Sequence, residues 1–186
     1  MDWYRRLNDY FPEEEMKQYG QLRDLIRDHD LYYKEETEDY LILYAEFDSF
    51  LFVDYLLVKE TARRGGVGSR VIQKLKEKGK PILLEVEPVD PNVSDTEKRV
   101  RFYAKNGFQI ADRVRYQRET DDGDTFDLNI HYWSPRSLSQ RTILDMMAKA
   151  CDKIHNFRSK RYYGRIQADP DKVLEWKETE KEAIGS

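Results

Sequence analysis

The chain has 186 residues, of which 39% are hydrophobic and 13% aromatic, and its formal net charge is −4. This length suits one domain, or one domain with an appendage, and the mild charge argues against a nucleic-acid partner. A single cysteine, Cys151, excludes an internal disulfide and a multi-cysteine metal site, so we expect a reducing compartment and no metal. We also expect no membrane partner and a cytoplasmic protein, because no apolar run approaches the ~20 residues of a membrane helix and the N-terminus lacks a signal-peptide core.

The N-terminal part of the chain changes from a helical to a strand pattern near residue 30. Residues 2–29 predict two helical pieces separated at Pro12, which favours the first turn of the second piece. The acidic run Glu13–Glu15 is interpreted as the solvated start of that helix. Residues 30–58 alternate as strands, and Asp48-Ser49 predicts a hairpin turn between antiparallel partners.

A glycine-rich turn follows the apolar strand that ends at Val58. Gly65, Gly66 and Gly68 lie where the strand pattern gives way to a helix over residues 68–79. Such a junction presents unpaired backbone N–H groups at the positive end of a helix dipole, and residues without side chains let a phosphate approach them. The sequence therefore predicts an anion-binding turn.

Two well-known phosphate-binding turns do not fit these residues. A P-loop needs a lysine after its last glycine, where this chain has Ser69. A dinucleotide-binding turn needs a third glycine, where this chain has Val71.

The elements after the turn predict an α/β arrangement. A strand over residues 82–87 completes a strand, helix and strand succession, which favours a parallel crossover with the glycines at the carboxyl end of the first strand. A helix within residues 91–106 is predicted to begin at a Ser94-x-x-Glu97 capping box and to end at Asn106-Gly107. Strands over residues 108–118 and 125–133 then flank a turn.

Two motifs in this order carry a family resemblance. Arg63-x-x-Gly66-x-Gly68 is followed about forty residues later by the stretch Phe102-Tyr103-Ala104-Lys105-Asn106-Gly107-Phe108. Over roughly residues 12–134 the chain resembles the GNAT superfamily of acyl-CoA-dependent N-acyltransferases. The resemblance implies an α/β (α+β) fold: a mixed, mostly antiparallel central sheet with helices on both faces and a parallel strand pair at the cofactor cleft. The family's first strand has no counterpart near the N-terminus.

The resemblance also implies a reaction and its cofactor site. Acetyl-CoA would be the acyl donor, and a primary amine of a small molecule or peptide would attack it directly in a ternary complex. The family's tyrosine lies near the thioester sulfur, which makes Tyr103 the candidate acid; its alternative is a core tyrosine whose hydroxyl is bonded elsewhere. The implied cofactor-binding residues are Leu57, Val58, Arg63, Arg64, Gly65, Gly66, Val67, Gly68, Ser69 and Tyr103.

The reaction also needs a base, because an alkylammonium with a pKa near ~10.4 must lose a proton before it attacks. Asp54 interrupts one apolar strand, Glu85 and Glu87 interrupt the next, and His131 lies on the polar side of a later strand. Each carboxylate has an alternative as a paired structural group, and His131 has one as an exposed strand residue. The base therefore remains open.

The domain boundary is predicted near Pro135. Residues 1–135 would form the GNAT-like acyl-CoA-binding domain, and residues 136–186 a basic, amphipathic C-terminal helical extension with a second short helix behind Asp169-Pro170. Packing on the domain or on a second copy, as a homodimer, is favoured over a lid or a polyanion-binding patch. Cys151 is interpreted as a core residue. Three functions stay open: an active N-acetyltransferase, an inactive coenzyme A-binding module, and an interaction protein using the basic helix.

Overall fold

The computed structural model describes residues 2–178, and the last eight residues of the predicted extension lie outside this range. Within these residues the helices are α1 Asp2–Asn8, α2 Tyr19–Asp28, α3 Glu60–Arg63, α4 Val67–Lys76, α5 Ser94–Lys105, α6 Gln140–Ala150, α7 Ser159–Tyr163 and α8 Pro170–Val173. None of these helices has the length and apolar character needed to cross a membrane.

The strands of the described residues form one sheet. They are β1 Tyr32–Glu36, β2 Tyr40–Glu46, β3 Leu51–Val58, β4 Ile82–Val86, β5 Gln109–Ile110, β6 Val114–Glu119, β7 Thr125–Trp133 and β8 Leu174–Trp176. Their order is β1-β2-β3-β4-β7-β6-β8, with β5 paired to β7. β3 and β4 are parallel and the other pairs are antiparallel, so the predicted mixed, mostly antiparallel sheet is confirmed. No strand precedes α2 in the described residues, in agreement with the missing first strand.

Helices cover both faces of the sheet, as predicted. One face packs against α1, α2 and α6 through Leu7, Leu22, Leu25, Ile143 and Met147. The other face packs against α4 and α5 in a second cluster, which includes Val71, Ile72, Leu75, Tyr103 and Phe108. Burial of these apolar side chains is the main stabilising contribution on each face.

The parallel strands β3 and β4 separate soon after they begin. Their pairing covers Leu51 to Val53 on β3 and Ile82 to Leu84 on β4. The register between β2 and β3 then shifts, because Leu43 faces Tyr55 while Tyr44 faces Val53, and Asp54 is left as the extra residue of a β-bulge. A gap therefore opens between Asp54 and Glu85.

Two local expectations are wrong. The second N-terminal helix does not begin at Pro12: a single 3₁₀ turn, Glu13–Glu15, is followed by extended backbone, and α2 begins only at Tyr19. Ser94 does not cap α5, because the N-cap is Val93 and no side chain caps it. The hydroxyl of Thr96 instead bonds the backbone of Asp90 and Val93, which fixes the loop before the helix.

The C-terminal segment packs on the sheet and is not wholly helical. Residues of α6 lie in the first core cluster, and β8 pairs with β6. Asp169 caps α8 through the N–H of Asp171, as the sequence predicts. Cys151 is fully buried, in agreement with its interpretation as a core residue.

Candidate active site

The gap between β3 and β4 is the mouth of a cleft of about 400 Å³. Of the predicted site residues, it brings together Asp54, Val58, Arg63, Arg64, Gly66, Gly68, Ser69, Glu85 and Tyr103. Its lining also includes residues without a predicted role, among them Tyr10, Glu15, Leu56, Lys98, Arg99 and Lys105. The positive side chains of this lining suit a phosphorylated ligand.

The cleft-facing edge of β3 carries backbone groups that no other strand of the described residues bonds at this level. The N–H of Lys59 bonds the carbonyl of Asp39 on the β2 side, so by alternation the backbone groups of Leu57 face β2 and those of Leu56 and Val58 face the cleft. The Val58 carbonyl accepts a 3.1 Å hydrogen bond from Nε of Arg63, which leaves the Val58 N–H and the backbone groups of Leu56 for a ligand. β4 has already diverged at this level. An extended ligand can therefore bond this edge as an added strand would.

The glycine turn, residues 63–69, ends at the N-terminus of α4. Gly66 is the N-cap and has a φ of 71°, a left-handed conformation that favours glycine. The N–H groups of Val67, Gly68 and Ser69 precede the first intrahelical bond, from the N–H of Arg70 to the carbonyl of Gly66. These three donors are available to an anion at the positive end of the helix.

Glycine is needed at position 68 for a packing reason that the sequence did not show. A Cβ at this position would lie 3.0 Å from the ring of Phe102 and 3.3 Å from the side chain of Val58. Glycine therefore allows α4 to approach α5 and β3 closely, whereas the sequence-based explanation was the approach of a phosphate. Leu57, Gly65 and Val67 do not line the cleft, and Leu57 is a core side chain.

Tyr103 lies on α5 with its ring packed against Phe102, Phe108 and His131. The side chain is 6% exposed, and no group of the described residues forms a hydrogen bond with its hydroxyl. Burial raises the pKa of Tyr103 well above its ordinary value, so the phenol is protonated at neutral pH. The alternative of a core tyrosine with a bonded hydroxyl is therefore not what the structure has.

Asp54 is almost completely enclosed, and both of its carboxylate oxygens are occupied. Oδ1 lies 2.6 Å from Nζ of Lys17, and Oδ2 accepts a 2.6 Å hydrogen bond from the hydroxyl of Tyr32. The neighbouring Tyr55 hydroxyl accepts from the N–H of Lys17 and donates to the carbonyl of Glu15. Asp54 and Tyr55 thus fix the segment before α2 over the cleft.

Glu85 differs from Asp54 because only one of its oxygens is engaged. Oε1 accepts 2.6 Å hydrogen bonds from the hydroxyl of Tyr116 and from Nε2 of His155, whereas no hydrogen bond of the described residues reaches Oε2. Burial raises the pKa of Glu85, but contact with His155 and the charges of Arg118 and Lys17 more than offset this and lower it below its ordinary value. Glu85 is therefore a carboxylate anchored on one side and open on the other.

Glu15 is a cleft residue that sequence reasoning missed. Its Oε1 is buried and has no hydrogen-bond partner within residues 2–178, so its interpretation as part of a solvated helix start is wrong. Burial and the neighbouring Glu87 carboxylate raise the pKa of Glu15 to about 9. Glu87 itself pairs with Arg99 at 3.2 Å and lines an adjoining groove. A run of three glutamates after a proline was the signal present, but it did not show which of the three turns inwards.

His131 is buried and does not line the cleft, in contrast to the exposed strand position expected. It lies opposite Leu84 on one side and Ile110 on the other, in a strand covered on both faces. Burial lowers the pKa of His131 to about 4, so the ring is neutral at pH 7. Among residues 2–178, no three acidic, histidine or cysteine side chains are grouped as a metal site would require.

Comparisons with known proteins agree with this geometry. Residues 27–110 match the family model of the acetyltransferase (GNAT) domain. The chain is 43% identical over 184 residues to the Bacillus subtilis (strain 168) protein named "Putative acetyltransferase YjbC", covering 98% of this chain and 96% of that relative. The relative therefore extends through the C-terminal segment, which the family model does not reach.

Solved structures share the fold. A GNAT-family protein of Bacteroides thetaiotaomicron superposes with a TM-score of 0.66 at 22% identity, over 87% of this chain and 90% of that chain. Arabidopsis thaliana Naa50, solved with the bisubstrate analogue CoA-Ac-MVNAL, superposes with a TM-score of 0.53 at 18% identity, over 72% and 91% of the two chains.

Proposed function

This chain belongs to the GNAT acetyltransferase family, and we propose that it transfers the acetyl group of acetyl-CoA to a primary amine by direct attack in a ternary complex. The observation that carries the proposal is the cleft at which β3 and β4 separate. It brings the glycine turn, the unbonded hydroxyl of Tyr103 and the half-open carboxylate of Glu85 to one space.

The donor occupies the side of the cleft formed by the glycine turn and β3. Gly68 and Ser69 line the cleft, and their free N–H groups bind the pyrophosphate together with the adjoining N–H of Val67 at the start of α4. Arg63 and Arg64 supply positive charge beside it. The pantetheine arm runs along the cleft-facing edge of β3. This direction carries the thioester from the turn towards the gap beside Asp54 and Glu85.

The acceptor amine enters on the acidic side of the gap. Glu85 stays ionised at neutral pH, so its open Oε2 attracts and orients an ammonium. Glu15 accepts the proton, because its pKa of about 9 lies close to that of an ammonium. Transfer from an ammonium of pKa ~10.4 is then uphill by ~1.4 units, or ~2 kcal/mol, against ~8 kcal/mol for a glutamate with an ordinary pKa near ~4.3.

Glu15 and Tyr103 take part in the two proton transfers of the acetyl-transfer step. The amine nitrogen forms a bond to the thioester carbonyl carbon, and the carbon–sulfur bond breaks as the amide forms. The proton leaves the nitrogen for Glu15, and the departing thiolate takes a proton from the hydroxyl of Tyr103. Asp54, with both oxygens engaged, holds the loop that carries Glu15.

A panel of small and peptide amines with acetyl-CoA tests the proposal, with thiol release and the N-acetylated product as readouts. We expect turnover with a subset of the panel and a large loss of turnover in Glu85→Gln. The exposed Glu14, replaced by Gln, serves as the matched control. Failure of acetyl-CoA to raise the melting temperature would refute donor binding, while a shift without turnover on any amine would favour the inactive coenzyme A-binding module.

A further inference from the structure

We propose that His155, in the C-terminal segment, is a positioning residue for the acceptor amine: it holds Glu85 so that the second carboxylate oxygen faces the cleft. The inference rests on the proposed function and adds a residue to its acceptor site. It also makes the segment after residue 135 a necessary part of the active site.

The contact between His155 and Glu85 is short and enclosed. Nε2 of His155 lies 2.6 Å from Oε1 of Glu85, and the two side chains are 1% and 15% exposed. Because burial keeps His155 neutral at pH 7, Nε2 carries the proton and donates it to the carboxylate. The Tyr116 hydroxyl bonds the same oxygen at 2.6 Å. Two donors on one oxygen fix the rotation of the carboxyl group and leave Oε2 for a ligand.

His155 is the last residue of a local irregularity in the backbone. After α6 the chain forms a π-helical turn, Cys151–His155, in which the N–H of Asn156 bonds the carbonyl of Cys151. Cys151, Ile154 and His155 of this turn are all buried. Such turns recur at functional sites. Gln21 bonds the carbonyl of His155 at 2.9 Å, and Phe52 packs edge-to-face on its ring, so the imidazole has little freedom.

Packing alone gives no reason for a histidine here. Nδ1 of His155 is buried and has no hydrogen-bond partner among the described residues, which costs stability compared with an apolar side chain in the same core. The benefit of the residue is therefore the Nε2–H bond to Glu85. The contact joins residues seventy positions apart and connects the C-terminal segment to the cleft at the gap between β3 and β4.

The test compares His155→Leu with His155→Gln, using steady-state kinetics for the amine and direct titration of acetyl-CoA. Leucine removes the donor, whereas the glutamine side-chain amide can replace Nε2–H. We expect the leucine variant to raise the amine KM by ~10- to 100-fold, the effect of a lost hydrogen bond to a charged group, with the acetyl-CoA Kd unchanged. Glutamine should restore most of the amine affinity. His29→Leu, at a half-buried histidine packed on Phe157, is the matched control and should behave as wild type.

Glu85→Gln separates failure of this inference from failure of the proposed function. His155→Leu should add little in the Glu85→Gln background, because both changes act on one interaction. Wild-type kinetics in Glu85→Gln would contradict the role of Glu85 in the proposed function. Impaired Glu85→Gln together with a wild-type amine KM in His155→Leu would overturn only the positioning role. Equal losses of amine and acetyl-CoA affinity in His155→Leu would also overturn it, as a merely structural effect.

The contact can be checked without turnover. ¹⁵N NMR of imidazole-labelled protein should show the Nε2–H tautomer of His155, with a resonance that moves in Glu85→Gln. The Nδ1–H tautomer, or an unchanged resonance in that variant, would contradict the inference even if no amine substrate were found.

Discussion

The pH dependence of acetyl transfer is the sharpest consequence of the structure, and it depends on Glu15. A base with a pKa of about 9 is deprotonated in ~1% of molecules at pH 7 and in half of them at pH 9, so its contribution to kcat/KM rises ~50-fold over this range. This contribution to kcat/KM increases with pH because the ionised carboxylate of Glu15 is the active form of the base. Glu15→Gln removes this contribution and should leave only the rise caused by ionisation of the amine.

The assay measures kcat/KM for one amine in wild type and in Glu15→Gln between pH 6.5 and pH 9.5. This pH range brackets the pKa of about 9 for Glu15. Wild type depends on ionised Glu15 and on the ammonium that it deprotonates, whereas Glu15→Gln depends on the free amine alone. The wild-type profile should therefore level near pH 9, while the profile of Glu15→Gln should be lower and keep rising towards the amine pKa of ~10.4. Glu14→Gln, at the exposed neighbour, should reproduce the wild-type profile. A Glu15→Gln profile that coincides with the wild-type profile would refute the assignment of Glu15 as the base.

Three further outcomes follow from the contacts. Tyr103→Phe should lower kcat by ~10²- to 10⁴-fold with the acetyl-CoA Kd unchanged in titrations, and an unchanged kcat would contradict the acid role. Gly68→Leu should lower the melting temperature because its side chain meets Phe102, and Phe102→Leu should recover part of the loss; full stability of the single variant would show that α4 and α5 are not in close contact. Lys17→Met should lower the free energy of unfolding by ~3–5 kcal/mol in urea titrations, since it leaves the charge of Asp54 buried without its partner, whereas adding Asp54→Asn should recover much of this; a near-neutral single variant would argue against the enclosed pair.

The parts of the site that depend on local sequence could be predicted. The glycine turn joins a strand to the helix that follows it, and Tyr103 lies on a helix that ends at Asn106-Gly107, so a few adjacent residues fix each conformation. The strand, helix and strand succession also predicted the parallel pair. Local pattern was sufficient because these elements are neighbours in the chain.

The parts of the site that depend on contacts between distant residues could not be predicted from the sequence. Glu15, Glu85 and His155 come from the N-terminal loop, a central strand and the C-terminal segment, and no periodicity connects them. Asp54 and Glu85 look alike in the sequence, as single acids in apolar strands. Their difference arises from Lys17 and Tyr32, which occupy both oxygens of Asp54, and from the divergence of β4, which leaves one oxygen of Glu85 free.

Gly68 is a residue whose type the motif predicted but whose packing role it did not. The pattern gave the correct residue type, but the close neighbour is a ring of α5, a contact that the motif does not contain. His131 is a similar case, because the polar alternation of β7 predicted exposure while α5 covers that face.

A crystal structure with bound coenzyme A would show whether the cleft between β3 and β4 is the donor site. The pyrophosphate should lie within ~3 Å of the backbone N–H groups of Val67, Gly68 and Ser69. The pantetheine arm should follow the cleft-facing edge of β3, and the sulfur should reach the hydroxyl of Tyr103 in the gap between β3 and β4. Coenzyme A bound with its pyrophosphate away from the glycine turn, or with its sulfur outside that gap, would contradict the proposed donor site.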